Sequence, residues 1–406
     1  MQPQNRKSIP TAFLVLCSIL SALLFQHSPG TSDVNIWQQW AYHVDTYGVV
    51  QGYQFNHADY PPLSSVVIFC AVRVGRLLDM VAFSSIKWSI ILFLFFTTFL
   101  FWFWTKDLYT TLMLHFALLL NSVALGYIDI YFAPFLVLSF WALKQRKLAL
   151  FSVFFAIACL TKWQPLIIAP FIVLYILDLR QAERWKLSSL LRIFIRLLAP
   201  GAVLLGLTLS IFGFSPTWEA FRASLSHHYL SGNALNFNWI LTHFLHVLKP
   251  GEFGGLIEGQ ANYIVTDSLQ ITLFSRLLFY AFYFIILVRF FRAEKSFENL
   301  IVFSVIGFLA YFTFNIGVHE NHLFLVTILG VALLWLNKNT VTSVLTLVLM
   351  NNINLFLFYG IDGKLRFSRV VGGIDTALLF SIFNVGFILY WLMQIIYPGK
   401  PASLEV

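Results

Sequence analysis

Residues 28–72 hold three aspartates, Asp33, Asp45 and Asp59, and no lysine or arginine, in a chain of formal net charge +8. The first of them, in TSDVNIWQQW, follows directly on the first apolar run. A carboxylate placed there can act as a general base toward a bound nucleophile. It can equally cap a helix beginning at NIWQQW. More ionisable or amide groups stand at the joints of later apolar runs: Asp129 in GYIDIYF, Lys162 and Gln164 in TKWQP, and His319, Glu320 and His322 in NIGVHENHLFLV. Such groups are costly beside hydrocarbon and mark a site by default. Each also has a structural reading. Asp59, ahead of Tyr60-Pro61-Pro62, can cap a helix; Asp129 can face a helix dipole; Lys162 can snorkel. His227 and His228 fit a surface as well as a site, and His243 and His246 read as structural. HENH lacks the i, i+4 histidine pair of HExxH and no third ligand stands at metal spacing, so no metal is expected.

The elements that must position these groups are membrane helices. A chain that is 59% hydrophobic and 11% charged, with mean hydropathy +0.79, is excluded from the ordinary soluble class. Apolar runs at 11–26, 87–104, 108–124, 127–143, 148–160, 163–178, 196–213, 271–291, 299–316, 321–336, 340–358 and 376–396 predict an all-α polytopic protein. The expectation is one membrane domain over 1–406 with about twelve transmembrane helices. The segment 60–80 carries Arg73, Arg76 and Asp79 and opens on two prolines, which suit a first helical turn. Laid on the membrane surface rather than across it, this segment leaves more of the 26 lysines and arginines, Arg6, Lys7, Arg180, Arg184, Lys186 and Lys400 among them, in cytoplasmic loops. Under that topology the two long loops, 28–86 with its interfacial helices and 214–270, face outward together with every candidate named above. Long loops in a compact bundle are usually functional. The basic clusters fall between apolar runs, which argues against a nucleic-acid partner. Trp37, Trp40 and the FWFW run at 101–104 read as a membrane-edge belt, and Cys17, Cys70 and Cys159 as small buried hydrophobes.

In order along the chain, SDVNIWQQW, ADYPPLSSV, GYIDIYF, TKWQPLIIAP and GVHENHLF resemble segments of the GT-C superfamily of integral-membrane glycosyltransferases. The likeness is greatest to the dolichyl-phosphate-glucose glucosyltransferases that extend lipid-linked oligosaccharides for asparagine glycosylation, whose corresponding segments read GDYEAQRHW, LDYPPLTAY, a GHFQYN-like turn, a lysine-glutamine turn and HVHEK. It runs from about residue 31 to 325, with VHEN here in place of VHEK. The resemblance implies a GT-C fold with Asp33 as catalytic base. It also implies transfer of a hexose from a polyprenyl-phosphate donor to a glycan, lipid or protein acceptor, with inversion, on the non-cytoplasmic face and without a cofactor. Lys162, His319 and Arg366, or Arg369 beside it, are expected at the donor phosphate. Asp59, Tyr60, Asp129, Gln164, Glu320 and His228 are expected in support, Glu320 by orienting His319. The membrane would be a bacterial inner membrane or that of the endoplasmic reticulum. A lipid-linked sugar transporter or flippase, and an oligosaccharide polymerase or ligase, are the competing readings.

Overall fold

A computed structural model describes residues 5–56, 59–178, 187–266 and 268–396. Arg180, Arg184, Lys186 and Lys400 of the topology argument lie outside the described residues. The chain opens with helices α1 (Asn5–Phe25), α2 (Asp33–Phe55), α3 (Pro62–Leu77), α4 (Ala82–Thr105) and α5 (Leu108–Leu119), the last running into a π-helical turn at Leu120–Ala124. A 3-10 turn at Ile128–Phe132 leads into α6 (Ala133–Lys144) and α7 (Leu148–Thr161), and a second at Gln164–Ile168 into α8 (Ala169–Leu177). There follow α9 (Leu187–Phe212), α10 (Phe214–Leu225), α11 (Phe237–Leu248), the single turn α12 (Pro250–Phe253), α13 (Leu269–Arg292) and α14 (Phe297–Phe314). The chain ends with α15 (Phe324–Leu336), entered through a 3-10 turn at Glu320–Leu323, then α16 (Val341–Tyr359), a short antiparallel hairpin of β1 (Val370–Val371) and β2 (Ile374–Asp375), and α17 (Thr376–Ile396).

Every apolar run of the sequence is helical. Six of the described helices, in α4, α9, α13, α14, α16 with the turn before it, and α17, are long and apolar enough to cross a membrane. Leu207 on α9 and Phe284 on α13 are exposed, as side chains facing lipid would be, whereas Phe308 and Phe312 on α14 are fully buried. Local signals explain the starts. Asp107, Asn236 and Ser296 each accept a hydrogen bond from a first-turn amide of α5, α11 and α14. Pro62 opens α3, as its position predicts, but the capping position is Pro61, not Asp59. Likewise Asp33 is itself the first residue of α2, and Ser32 holds the cap position without a side-chain bond. Neither acid is an N-cap.

Contacts divide the chain into two compact units, each discontinuous in sequence: Met1–Leu166 with Gln181–Ser226 and Tyr359–Leu365, and Ile167–Arg180 with His227–Phe358 and Arg366–Val406. In the first, α2 packs on α3, α3 on α4, α4 on α5 and α6, and α7 on both α6 and α9. Its core holds Phe101, Leu114, Ile130, Phe132 and Phe140. In the second, α14 lies between α13 and α15, and α11 packs on α17.

The element that presents Asp33 is not a straight rod. Gly48, at φ 79 and ψ 165, breaks α2 and turns the chain back on itself. Gly52 then lies so close to Val44 that a Cβ there would come within 2.5 Å of the Val44 Cα. Only glycine adopts the Gly48 conformation at low cost. Trp37 and Trp40, on the first half of α2, are 3% and 4% exposed. They form part of the core rather than a membrane-edge belt, because they stack against the loop that follows α2. Of the three cysteines only Cys159 is buried; Cys17 is partly covered and Cys70 exposed.

Candidate functional site

The first unit gathers Asp33, Asp59, Tyr60, Asp129, Lys162 and Gln164, drawn from four loops. What holds them is a run of backbone carbonyls. The last carbonyls of a helix have no partner within it, and the π turn after α5 leaves four in succession. Lys87, buried on α4, donates to the Val123 carbonyl and, at 2.9 Å, to the Ser28 hydroxyl. Ser28 in turn donates to the Ala124 carbonyl at 2.6 Å. The Thr31 amide donates to the Leu125 carbonyl at 2.9 Å. The Trp37 indole donates to the Gly126 carbonyl at 3.1 Å. The start of α2 is thereby fixed against the segment that leads directly into Asp129.

Asp129, 1% exposed, is neutralised by Lys162, whose Nζ lies 2.7 Å from Oδ1. The Tyr60 hydroxyl accepts from Lys162 and donates to Asp129 Oδ1 at 3.3 Å. The ammonium also stands 3.8 Å from the Tyr60 ring centroid, a cation–π contact. Trp37 and Trp40 hold that ring edge-on, each with its centroid 5.5 Å away. The Asp59 carbonyl accepts from the Trp163 indole at 3.1 Å. Burial first, then the negative charges of Asp129, Asp59 and Asp33, push the Tyr60 phenol well above its ordinary range, so it stays a hydrogen-bond donor.

Asp33 differs from Asp129. Among the described residues its carboxylate accepts no hydrogen bond and pairs with no cation at contact distance. Burial raises its pKa to about 6; Lys162 opposes that rise, and Asp129 and Asp59 add to it. Gln164, 6% exposed, has both ends of its amide without a partner among the described residues. A buried amide satisfied at neither end calls for a further polar group, from water or ligand.

The second unit holds His228, His319, Glu320, Arg366 and Arg369. The His319 ring lies on the backbone of Gly232, where a Cβ would come within 2.6 Å of Nδ1. His319 Nδ1 is 4.0 Å from the Glu320 carboxylate, too long for a hydrogen bond. His227, not the exposed His228, packs edge-on against His319 with centroids 5.1 Å apart. Arg366 is exposed. Arg369 is buried and committed: Nε donates to Gln260 at 3.0 Å, another guanidinium nitrogen to the Ala261 carbonyl at 3.0 Å, and the group lies over Phe358. His246 is structural, both ring nitrogens lying against backbone carbonyls of Gly254 and Asn262. Among the described residues, no cluster of histidine, cysteine and acid has the makings of a metal site.

Missed from the sequence was Lys87; His227 was named there only as one of a pair with His228. A lysine opening the apolar run 87–104 was the available signal for Lys87. No protein-family model and no curated protein matches this chain. Chemically, the first unit offers one free carboxylate of raised pKa beside an engaged Lys–Asp–Tyr network, and a buried amide with unmet hydrogen bonds.

Proposed function

We propose that the protein is a GT-C-type glycosyltransferase that moves a hexose from a polyprenyl-phosphate donor to a glycan, lipid or protein acceptor on the non-cytoplasmic face of a membrane it crosses about twelve times. The observation that carries the reading is Asp33: a carboxylate with no partner among the described residues and a pKa raised to about 6 by burial, at the first turn after an apolar helix. A free base poised near neutrality is what proton abstraction from a sugar or lipid hydroxyl requires. The order of SDVNIWQQW, ADYPPLSSV and GVHENHLF supplies the likeness to the superfamily.

In this mechanism the acceptor hydroxyl gives its proton to Asp33 as its oxygen bonds to the anomeric carbon. The bond from that carbon to the phosphate oxygen breaks, and the electron pair leaves with the phosphate. A single displacement inverts the anomeric centre. The charge developing on the phosphate must be met by fixed cations and donors. Lys162 is paired with Asp129 and acts on Asp33, so a donor phosphate reaching Lys162 has to compete with Asp129. In this reading Lys162 is the cation of the first unit that meets the phosphate.

The test is transfer from short-chain polyprenyl-phosphate glucose and mannose, with a membrane lipid extract as acceptor, by wild type beside Asp33→Asn. Donor consumption that depends on Asp33 supports the transferase; equal turnover by the variant sinks the base assignment. A carrier of lipid-linked sugars is the second reading. His115, buried on α5 and bonded to Ser21 at 2.7 Å and Thr98 at 3.0 Å, favours it, since ionisable groups inside apolar bundles often line transport routes. Flux of lipid-linked sugar across vesicles with no glycosylated product would decide for it.

A further inference from the structure

A single residue, Gly213 at φ 88, separates α9 from α10. From Leu191 to Phe212, α9 is long and apolar enough to cross a membrane, so a helix starting just beyond it stands at the membrane's edge. This helix has two distinct apolar faces. Thr217 and Ala220 are buried, and Ala220 packs in one cluster with Phe212 and Tyr53. Phe214, Trp218, Phe221 and Leu225 recur at i, i+4, i+7 and i+11 and so form a separate stripe along the helix. Phe214, Trp218 and Leu225 are 66%, 52% and 64% exposed.

The rings of the stripe touch one after another. Phe214 stacks on Trp218 with centroids 6.3 Å apart and planes 5° apart. Trp218 meets Phe221 at 5.7 Å, and Phe221 meets Trp163 edge-on at 5.2 Å. Trp163 and Phe221 are only partly buried, so the ladder stays open along its length. At its inner end Trp163 follows Lys162 directly, and its indole donates to the Asp59 carbonyl at 3.1 Å. All four rings belong to the first unit. Aromatics that only anchor a protein in the interface are needed at the lipid boundary alone. Here the inner rungs continue to the joint that holds a buried cation. An apolar lane ending at a cation matches an amphiphile with a long apolar tail and an anionic head.

From this we infer that the stripe of α10, continued by Trp163, holds the isoprenoid tail of a lipid monophosphate whose head is drawn toward Lys162. Phe221 meets the part of the tail next to the phosphate, and Trp218 and Phe214 meet the part beyond it, so the two outer rings set the tail length that is recognised. The inference rests on the polyprenyl-phosphate reading above and adds to it the residues that select the lipid.

The experiment is equilibrium binding of geranyl phosphate and of the longer geranylgeranyl phosphate to the full chain in lipid nanodiscs. Wild type should bind the longer ester more tightly. Trp218→Ala should weaken the longer ester about tenfold, the effect of losing one aromatic contact with the tail, and leave the shorter one unchanged. Phe214→Ala should act in the same direction, and at so exposed a position it leaves the fold intact. Phe221→Ala should weaken both esters. Phe284→Ala, at an exposed ring of the second unit, should weaken neither. Equal affinity of wild type for the two esters overturns the inference. So does unchanged affinity for the longer ester in Trp218→Ala and Phe214→Ala, or equal weakening by Phe284→Ala. If Asp33-dependent sugar transfer accompanies any of those results, the transferase stands and the tail site alone falls. No binding of either ester together with no transfer removes both.

Discussion

Asp33 and Lys162 are coupled through space, and that coupling gives the sharpest expectations at the scale of single residues. A base of pKa about 6 loses its function when protonated, so kcat/KM should fall as pH drops through about 6. A flat profile across that window would remove Asp33 from the role. Asp33→Asn should lower turnover by about 10²–10⁴-fold, the usual worth of general base catalysis. Its effect on stability has the opposite sign. A carboxyl whose folded pKa is raised favours the folded state below its unfolded pKa and loses that contribution as pH rises through about 6. The variant should therefore gain more in Tm at pH 8 than at pH 4. Lys162→Gln removes the one charge that lowers the Asp33 pKa, so the acidic limb of the rate profile should move upward. It also takes the ammonium from buried Asp129, at a cost of about 3–5 kcal/mol in unfolding free energy. At this scale the ionisable members of the first-unit site were legible, because an acid or lysine at the joint of apolar runs is conspicuous. The choice of His227 over His228 was not, since two adjacent histidines differ only in which way the backbone turns them.

The element that orders the site is the turn at residues 123–126, whose successive carbonyls tie down Lys87, Ser28, Thr31 and Trp37. Nothing in a sequence marks a carbonyl as free, so this framework could not be read there. Trp37 and Trp40 misled for a related reason: aromatics near an apolar run look alike whether they face lipid or, as here, clamp Tyr60 from two sides. The reversal of α2 at Gly48 was equally silent, because the hydrophobic pattern continues through it. Lys87→Met keeps the length of the side chain and removes the donor. If the turn serves to place Asp33, the variant should lose turnover by about 10–100-fold, with donor KM little changed. A change in KM alone would make Lys87 a packing residue with no bearing on the base.

On the scale of the whole molecule, the succession of apolar runs was the most readable feature, and all of them fold as helices. That contacts divide the chain into two units was not readable, because both are made of similar helices and the chain passes between them more than once. Sidedness remains an expectation built on the lysines and arginines, and it can be checked within the first unit. In a background without Cys17, Cys70 and Cys159, a membrane-impermeant maleimide applied to intact cells should label Ser32→Cys and spare Gln145→Cys, both at exposed positions. The reverse pattern would put Asp33 on the cytoplasmic side and end the case for a donor presented on the outer face. The clasp in which the Gly30 amide donates to the Asp362 carbonyl, with Gly363 flush on Gly30, has a bearing on biogenesis. Its two halves are separated by most of the 406 residues, so a ribosome inserting the chain must deliver nearly all of it before the first loop acquires this partner. Until then the early helices wait without it, and a stop codon placed before residue 359 would leave them so.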